Sequence, residues 1–313
     1  MEATAIGFSS YGDVEVFEAQ EVNVEVNHLK NVLVKVEHIG VNPVDAFIRN
    51  GNMSGGRALN RFTVLGNELQ GEIVELYEPL DGFAIGDKVI VRSSGGGYAT
   101  HIAANNKNVF KIPEDMPLDF AGSFSATAST AYWGLHGGFY PLKNGDTIAI
   151  VGASGSVGSF LVQLAQKWDV KIIAVASKKN EARLKELGAD IFVDYRDPEA
   201  IEQHGKTADF VLDASLFNAG EHAALTLAKE NATYVGMTTL PDNSYRPDVK
   251  RVFLSRTPAM TNDIVIPYLF DFYEKHGLAD QIAYTLPFTV DGVKEAHRLL
   301  EGTRNSGKII FKV

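Results

Sequence analysis

Hydrophobic and polar residues alternate in short runs through the first third of the chain. Between residues 4 and 112 these runs are rich in β-branched residues, show almost no helical periodicity, and are separated by glycine and asparagine, as turns require. The pattern predicts an irregular, partly closed β domain. The clearest predicted strands are 31–38, 69–77, 88–92 and 98–103.

The pattern changes near residue 119, and from 146 to about 255 short apolar runs alternate with helical stretches. Strict alternation of strand and helix is typical of a parallel sheet covered on both faces, so this part predicts a doubly wound α/β nucleotide-binding domain. The predicted strands are 146–151, 171–176, 191–194, 209–213 and 232–236. Three helices are predicted between these strands. The first ends at Trp168, the second ends at Leu187, and the third spans 219–229.

The last fifty residues are predicted to contain both helices and extended segments. They are predicted to form helices at 264–275 and 293–300, an extended segment at 285–289 and a final strand at 308–313. These pieces could complete the first domain. We therefore expect a discontinuous domain made of 1–122 and 262–313, with the nucleotide-binding domain at 123–261.

Composition excludes several classes of protein. The chain is 45% hydrophobic and 22% charged, as in an ordinary globular protein, and its net charge of -10 argues against nucleic acid as a partner. No apolar run approaches the roughly 20 residues of a membrane span, and residues 1–10 lack a secretory signal, so a cytoplasmic location is expected. The absence of cysteine excludes disulfides, thiolate metal ligands and a cysteine nucleophile.

A glycine motif follows the strand at 147–151. The sequence Gly-Ala-Ser-Gly-Ser-Val-Gly at 152–158 contains the form A-x-G-x-x-G. Gly155 lets the backbone approach a pyrophosphate, Gly158 lets the helix pack close to the strand, and the helix N-terminus offers N–H groups to the phosphates. The residues predicted to contact the dinucleotide are Ala153, Ser154, Gly155, Ser156, Val157 and Gly158.

The end of the next strand predicts which nicotinamide is used. An NAD enzyme usually carries an acidic residue about 20 residues beyond the loop, whereas here Ser177, Lys178 and Lys179 follow the strand. A hydroxyl and ammonium groups favour a 2′-phosphate, so NADPH is predicted, and Tyr195 could add a second hydroxyl. The alternative is that Ser177 only caps the next helix and the lysines are solvated.

Motifs along the whole chain add a family resemblance. They are Gly-Val-Asn-Pro-Val-Asp at 40–45, Gly-Asn-Glu-Leu-Gln-Gly at 66–71, Gly-Asp-Lys-Val at 86–89, Thr-Ala-Tyr at 130–132, the loop at 152–158, Leu-Gly-Ala-Asp at 187–190 and Gly-Lys at 307–308. In order and spacing they resemble the zinc-free quinone oxidoreductase branch of the medium-chain dehydrogenase/reductase superfamily. The resemblance implies a GroES-like β-rich catalytic domain, a Rossmann domain and a homodimer.

The zinc motif of related enzymes is absent. Zinc-dependent relatives bind the metal through cysteine and the histidine of a Gly-His-Glu motif. Here Asn67 stands in place of that histidine, and none of the eight histidines forms a close pair with ligand spacing. No metal is therefore expected.

The resemblance also implies roles for individual residues. Asn42 and Asp45 would lie near the nicotinamide and substrate, although Asp45 could instead cap a helix starting at Ala46. A tyrosine acid found in several relatives is replaced by Met53, so the proton donor stays open among solvent, the cofactor ribose and another group. The other implied cofactor contacts are Thr130 at the nicotinamide, Gly236 and Thr238 along the cofactor, and Arg304 and Lys308 at a phosphate.

Without a metal, hydride transfer needs an acceptor that is already electrophilic. The predicted reaction is hydride transfer from NADPH to a quinone or to the β carbon of an α,β-unsaturated ketone or aldehyde. Two alternatives stay open. One is reduction of an enoyl thioester, and the other is a non-catalytic NADPH-binding sensor or RNA-binding protein.

Overall fold

The computed structural model describes residues 1–216, 219–242, 244–258, 260–302 and 307–313. The chain forms two compact units. The first contains Met1–Ala126, Ile266–Lys275 and Gln281–Val313, and the second contains Thr127–Val265 and His276–Asp280. The first unit is thus built from segments distant in sequence.

The elements follow in chain order. The first part contains strands β1 (Glu2–Phe8), β2 (Glu18–Asn23), β3 (Val32–Val41), β4 (Thr63–Val64), β5 (Glu68–Leu76), β6 (Lys88–Arg92), β7 (His101–Ala104) and β8 (Val109–Lys111), with helices α1 (Pro43–Arg49) and α2 (Leu118–His136). The middle part contains β9 (Thr147–Val151), α3 (Ser156–Ala165), β10 (Lys171–Ala176), α4 (Glu181–Glu186), β11 (Ile191–Asp194), α5 (Pro198–Gln203), β12 (Ala208–Asp213), α6 (Glu221–Leu227), β13 (Ala228–Gly236) and β14 (Lys250–Phe253). The last part contains α7 (Asn262–His276), β15 (Ile282–Pro287), α8 (Val290–Glu301) and β16 (Lys308–Lys312).

The first unit is built on a mostly antiparallel sheet with the strand order β15-β16-β3-β5-β6-β8, and β7 also pairs with β3. The C-terminal strand β16 lies antiparallel to β3, with Ile309 opposite Val41. Apolar residues of β3, β5, β6 and β16 form one buried core, which includes Ile39, Leu69 and Phe311. The last strand is therefore fixed against a strand from the first part of the chain.

The second unit contains a six-stranded sheet with the order β11-β10-β9-β12-β13-β14. Every pairing in it is parallel, which confirms the doubly wound sheet predicted from the sequence. The order reverses at β9, because β10 lies on one side of that strand and β12 on the other. Ligands bind such sheets at this switch point, beyond the carboxyl ends of the strands.

Some elements differ from the sequence prediction. The helix predicted at 219–229 ends at Leu227 because β13 already begins at Ala228. Helix α2 was not predicted because its serine and threonine residues are interleaved with apolar ones, so it lacks the separate polar face that marks a surface helix. In the part of the chain that is described, no helix combines the length and apolar character that crossing a bilayer requires.

Candidate functional site

The loop after β9 has room only for glycine at two positions. Gly152 has a φ of 73°, in the left-handed region. A Cβ atom at Gly158 would lie 2.3 Å from the carbonyl oxygen of Gly152 and 2.6 Å from Cα of Ala153. Both neighbours are backbone atoms, so α3 can start this close to β9 only because residue 158 has no side chain.

Gly155 is different, because it precedes α3 as its N-cap and lies in open surroundings. A Cβ atom there would meet only the Gly152 carbonyl oxygen, at 3.4 Å. Ala153 is buried, whereas Ser154, Ser156 and Val157 are partly exposed around the turn. Backbone N–H groups and the positive end of a ten-residue helix therefore face a space that a side chain at 155 would fill, which fits a dinucleotide pyrophosphate.

Residues predicted for the 2′-phosphate lie at the ends of β10 and β11. The hydroxyl of Ser177 accepts a hydrogen bond from Nδ2 of Asn180 at 2.9 Å, and the Tyr195 N–H donates to the carbonyl of Ala176 at 3.4 Å. Lys178 pairs with Glu181, while Lys179 is exposed and has no ion pair with any described residue. The structure thus brings Ser177, the lysines and Tyr195 to the ends of neighbouring strands.

Arg196 is a third cation at this edge, and sequence reasoning missed it. Its guanidinium lies 5.4 Å from the centre of the Tyr195 ring and donates to both carboxylate oxygens of Asp194. The backbone N–H of Lys178 donates to the same carboxylate at 3.1 Å. Burial acts to raise the pKa of Asp194, but these contacts outweigh it and lower the pKa. The only signal in the sequence was the position of Arg196 directly after Tyr195.

The other predicted cofactor residues, apart from Lys308, are more scattered. Gly236 ends β13 beside Asp213 at the end of β12, and the Thr238 hydroxyl donates to the carbonyl of Ser215 at 3.0 Å. Thr130 lies on α2 and is partly buried. Arg304 lies outside the described residues.

The first unit contains a buried polar cluster formed by Asn42, Glu68 and Lys308, which are 5%, 0% and 3% exposed. The ammonium of Lys308 donates to Oδ1 of Asn42 at 2.6 Å and forms a short ion pair with Oε1 of Glu68. Nδ2 of Asn42 donates to Oε1 of Glu68 at 2.9 Å and to Oδ1 of Asn67 at 3.0 Å. Two of the three N–H groups of Lys308, which the sequence assigned to a phosphate, are therefore used inside this cluster.

Glu68 connects this cluster to α2, and sequence reasoning gave it no role. Its second oxygen, Oε2, accepts from the Ser125 hydroxyl at 3.2 Å and from the Ala126 N–H at 2.6 Å. A buried carboxylate is stabilised only when such partners surround it. The signal in the sequence was the Gly-Asn-Glu-Leu-Gln-Gly motif at 66–71, which contributes to the family resemblance but by itself indicates no role for the glutamate.

Asp45 is the third residue of α1 and closes a capping box with the N-cap residue Asn42, so it does not cap a helix starting at Ala46 as the alternative had it. Its Oδ2 accepts from the Asn42 N–H at 2.8 Å, and its Oδ1 accepts from the Gly66 N–H at 3.4 Å. Burial raises the pKa of Asp45 to about 6, partly offset by these backbone hydrogen bonds. The contact holds the backbone of Asn42 in place.

The residues of this cluster do not fit a zinc ion. Where zinc-dependent relatives have ligands, this chain has the carboxamide of Asn67, bonded to that of Asn42. Among the described residues no group of three or more histidine, cysteine, aspartate or glutamate side chains is arranged to hold a metal. Neutral amides paired with each other are poor zinc ligands.

Two family models match the chain. The alcohol dehydrogenase GroES-like domain matches residues 28–114, and the zinc-binding dehydrogenase model matches residues 156–260. These matches fall on the β-rich first unit and on the parallel sheet of the second. Both parts of the fold therefore have a counterpart among known families.

Proteins with similar sequences and structures agree with these models. The 2-methylene-furan-3-one reductase of Solanum lycopersicum is 29% identical over 324 aligned residues, covering 99% of this chain and 79% of the relative. The quinone oxidoreductase of Coxiella burnetii is 25% identical with a TM-score of 0.85, covering 100% of both chains. A mycobacterial protein solved with NADPH shares the fold at 24% identity and a TM-score of 0.83, again covering 100% of both chains.

The fold, the glycine loop and these matches lead to one assignment. The chain belongs to the medium-chain dehydrogenase/reductase superfamily, in its quinone oxidoreductase branch, and is an oxidoreductase that uses a nicotinamide cofactor and a small-molecule substrate.

Proposed function

We propose that this protein transfers a hydride from NADPH to a quinone, or to the β carbon of an α,β-unsaturated ketone or aldehyde, without zinc. The observation that carries the proposal is the cluster of Asn42, Glu68 and Lys308 with the neighbouring carboxamide of Asn67. It provides hydrogen-bond donors and one buried ion pair beside Asn67, which by the family resemblance stands where zinc-dependent relatives have a histidine ligand.

The chemistry of these groups limits the substrate. An amide donor polarises a carbonyl far less than a divalent metal does, so an isolated ketone would accept hydride slowly. Quinones and conjugated enones accept hydride readily because the resulting charge is delocalised onto oxygen. The role of the protein is to position the acceptor and to exclude water.

The charges beside Ser177 support a preference for NADPH. Lys178, Lys179 and Arg196 form a cationic edge, in which Lys178 pairs with Glu181 and Asp194 accepts hydrogen bonds from the Arg196 guanidinium and the Lys178 backbone N–H. A 2′-phosphate dianion would gain charge-assisted hydrogen bonds at this edge. Tyr195 and the Ser177 hydroxyl would complete the phosphate site.

Other residues keep the roles that the family resemblance implies. Thr130 would contact the nicotinamide, Gly236 and Thr238 would line the cofactor, and Arg304 would reach a phosphate. Lys308 is 3% exposed and donates to Asn42 and Glu68, which favours a role inside the buried cluster over a phosphate contact. We further propose a cytoplasmic homodimer that does not bind nucleic acid.

A turnover panel tests this function. NADPH and NADH would each be assayed with a quinone, an enone, an alkenal, an enoyl thioester and a saturated ketone, using chelator-washed protein analysed for metals. We expect turnover of the quinone or enone with NADPH, at least tenfold lower kcat/KM with NADH, and no stoichiometric zinc. Exclusive use of the thioester, activity that depends on zinc, or an absence of turnover would contradict the proposal.

A further inference from the structure

The orientation of the Asn42 carboxamide is fixed by its partners. An ammonium group can only donate, so the Asn42 atom that faces Lys308 must be the oxygen. An ionised carboxylate can only accept, so the Asn42 atom that faces Glu68 must be the nitrogen. The two contacts agree, and together they leave one orientation for this amide.

That orientation determines the next amide. The second N–H of Asn42 points at Asn67, so the Asn67 atom 3.0 Å away must be its oxygen. The NH₂ group of Asn67 then points to the other side, where it has no acceptor among the described residues. Asn67 is partly exposed, whereas Asn42, Glu68 and Lys308 are all buried, so its NH₂ group is the donor of the cluster that a ligand can reach.

We propose that the NH₂ group of Asn67 donates a hydrogen bond to the carbonyl oxygen of the acceptor, and that the Lys308–Glu68 ion pair and Asn42 hold it in that direction. The proposal rests on the function proposed above and names the group that contacts the reacting oxygen. A buried ion pair suits this task because it specifies one hydrogen-bonding arrangement, which a chain of amides alone would not.

The hydride, the electron pair and the proton are all accounted for without a metal. NADPH supplies the hydride and becomes NADP⁺. In an enone, the new C–H bond forms at the β carbon, the C=C electron pair shifts, and the carbonyl oxygen becomes an enolate oxygen. The Asn67 N–H strengthens its hydrogen bond as this charge develops but keeps its proton. A proton from solvent then forms the C–H bond at the α carbon, giving the saturated carbonyl compound.

Kinetics of three variants test the contact. Asn67→Ala is expected to lower kcat/KM for the enone or quinone by about tenfold to a hundredfold, somewhat less than the loss of a fully enclosed oxyanion donor. Its affinity for NADPH, measured by fluorescence titration, should not change. Gln20→Ala, which removes an exposed carboxamide on β2, is the matched control and should keep wild-type values.

Asn67→Asp separates a hydrogen-bond donor from a structural residue. Only the protonated carboxyl group can donate, so this variant should recover activity as the pH falls through the pKa of that carboxyl. The wild type and Asn67→Ala should not show this recovery. Unchanged kcat/KM in Asn67→Ala, or an Asn67→Asp variant without this pH dependence, would overturn the role of Asn67.

A binding measurement keeps the test independent of turnover. 4-Nitrophenol, whose phenolate mimics the enolate oxygen, is titrated by absorbance into protein saturated with NADP⁺. We expect the wild type and Gln20→Ala to bind the phenolate form at least tenfold more tightly than Asn67→Ala does. If the wild type turns over no acceptor, the proposed function fails. Equal phenolate binding by all variants instead rejects the Asn67 contact alone.

Discussion

Gly40 lies directly against Glu68. A Cβ atom at residue 40 would come within 2.5 Å of Oε1 of Glu68 and within 2.8 Å of its Cδ and Cγ atoms. The carboxylate cannot move aside easily because Lys308, Asn42, Ser125 and Ala126 all donate to it. The absence of a side chain at 40 is therefore what lets a charged residue occupy the core next to β3.

Replacing Gly40 by alanine should destabilise the protein. We expect the free energy of unfolding to fall by about 1–3 kcal/mol, the usual cost of overpacking a core. Denaturant unfolding would measure it. In a Glu68→Ala background the same substitution should cost much less, because the crowded atoms are gone. Equal costs in the two backgrounds would show that the Glu68 side chain is not the cause.

The two glycines at the start of α3 should respond differently to alanine. Gly158→Ala places its Cβ against backbone atoms and should lower both the melting temperature and NADPH affinity. Gly155→Ala meets only a 3.4 Å contact, so its free energy of unfolding should stay within about 1 kcal/mol of wild type. Its NADPH affinity should nevertheless fall at least tenfold, because the methyl group fills the space for the pyrophosphate. Calorimetric titration and thermal unfolding distinguish the two, and an unchanged NADPH affinity in Gly155→Ala would refute this assignment of the loop.

Selection of NADPH should depend on the lysines after β10. Removing both charges in Lys178→Ala/Lys179→Ala should weaken NADPH binding by about tenfold or more and leave NADH binding nearly unchanged, since only the 2′-phosphate meets these groups. Lys185→Ala on α4, which also removes a cation paired with Glu181, is the control. Parallel loss of affinity for both nicotinamides would contradict the assignment.

His297 should make stability depend on pH. It is fully buried, its Nε2 lies 3.3 Å from the Tyr98 hydroxyl, and its Nδ1 has no partner among the described residues. Burial, with a smaller contribution from the nearby charge of Arg49, lowers the pKa of His297 from 6.5 to about 3. The folded protein therefore keeps this histidine neutral over a range in which the unfolded chain binds a proton.

The sign of the effect follows from proton binding. Above pH 6.5 neither state protonates His297, and between pH 6.5 and about 3 only the unfolded state does, so acid removes stability in this window. Asp45 acts in the opposite direction, because its raised pKa lets the folded state bind a proton below about pH 6. Comparing wild type with His297→Gln isolates the histidine. As the pH falls, the free energy of unfolding should decrease less steeply in the variant, by up to about 1.4 kcal/mol per pH unit. Denaturant unfolding at pH 4, 5, 6 and 7 measures both slopes, and equal slopes would exclude His297 as the cause.

The sequence by itself determined the local parts of this protein. Alternating strands and helices specified the parallel sheet, because the spacing of apolar residues along each element indicates which of its faces is buried. The glycine loop was readable for the same reason, since Gly152, Gly155 and Gly158 act within one turn. Helix α2 was missed because its serine and threonine residues are interleaved with apolar ones, which leaves no such period.

Only the tertiary structure decided which polar groups meet in the first unit. Lys308 contacts Asn42 and Glu68 across 266 and 240 positions of the chain, because β16 pairs with β3. No local pattern reports a contact between residues so distant in sequence, which is why Lys308 was assigned to a phosphate and Glu68 to nothing. Burial then requires these groups to bind one another, since a charge away from water must find its partner inside the fold.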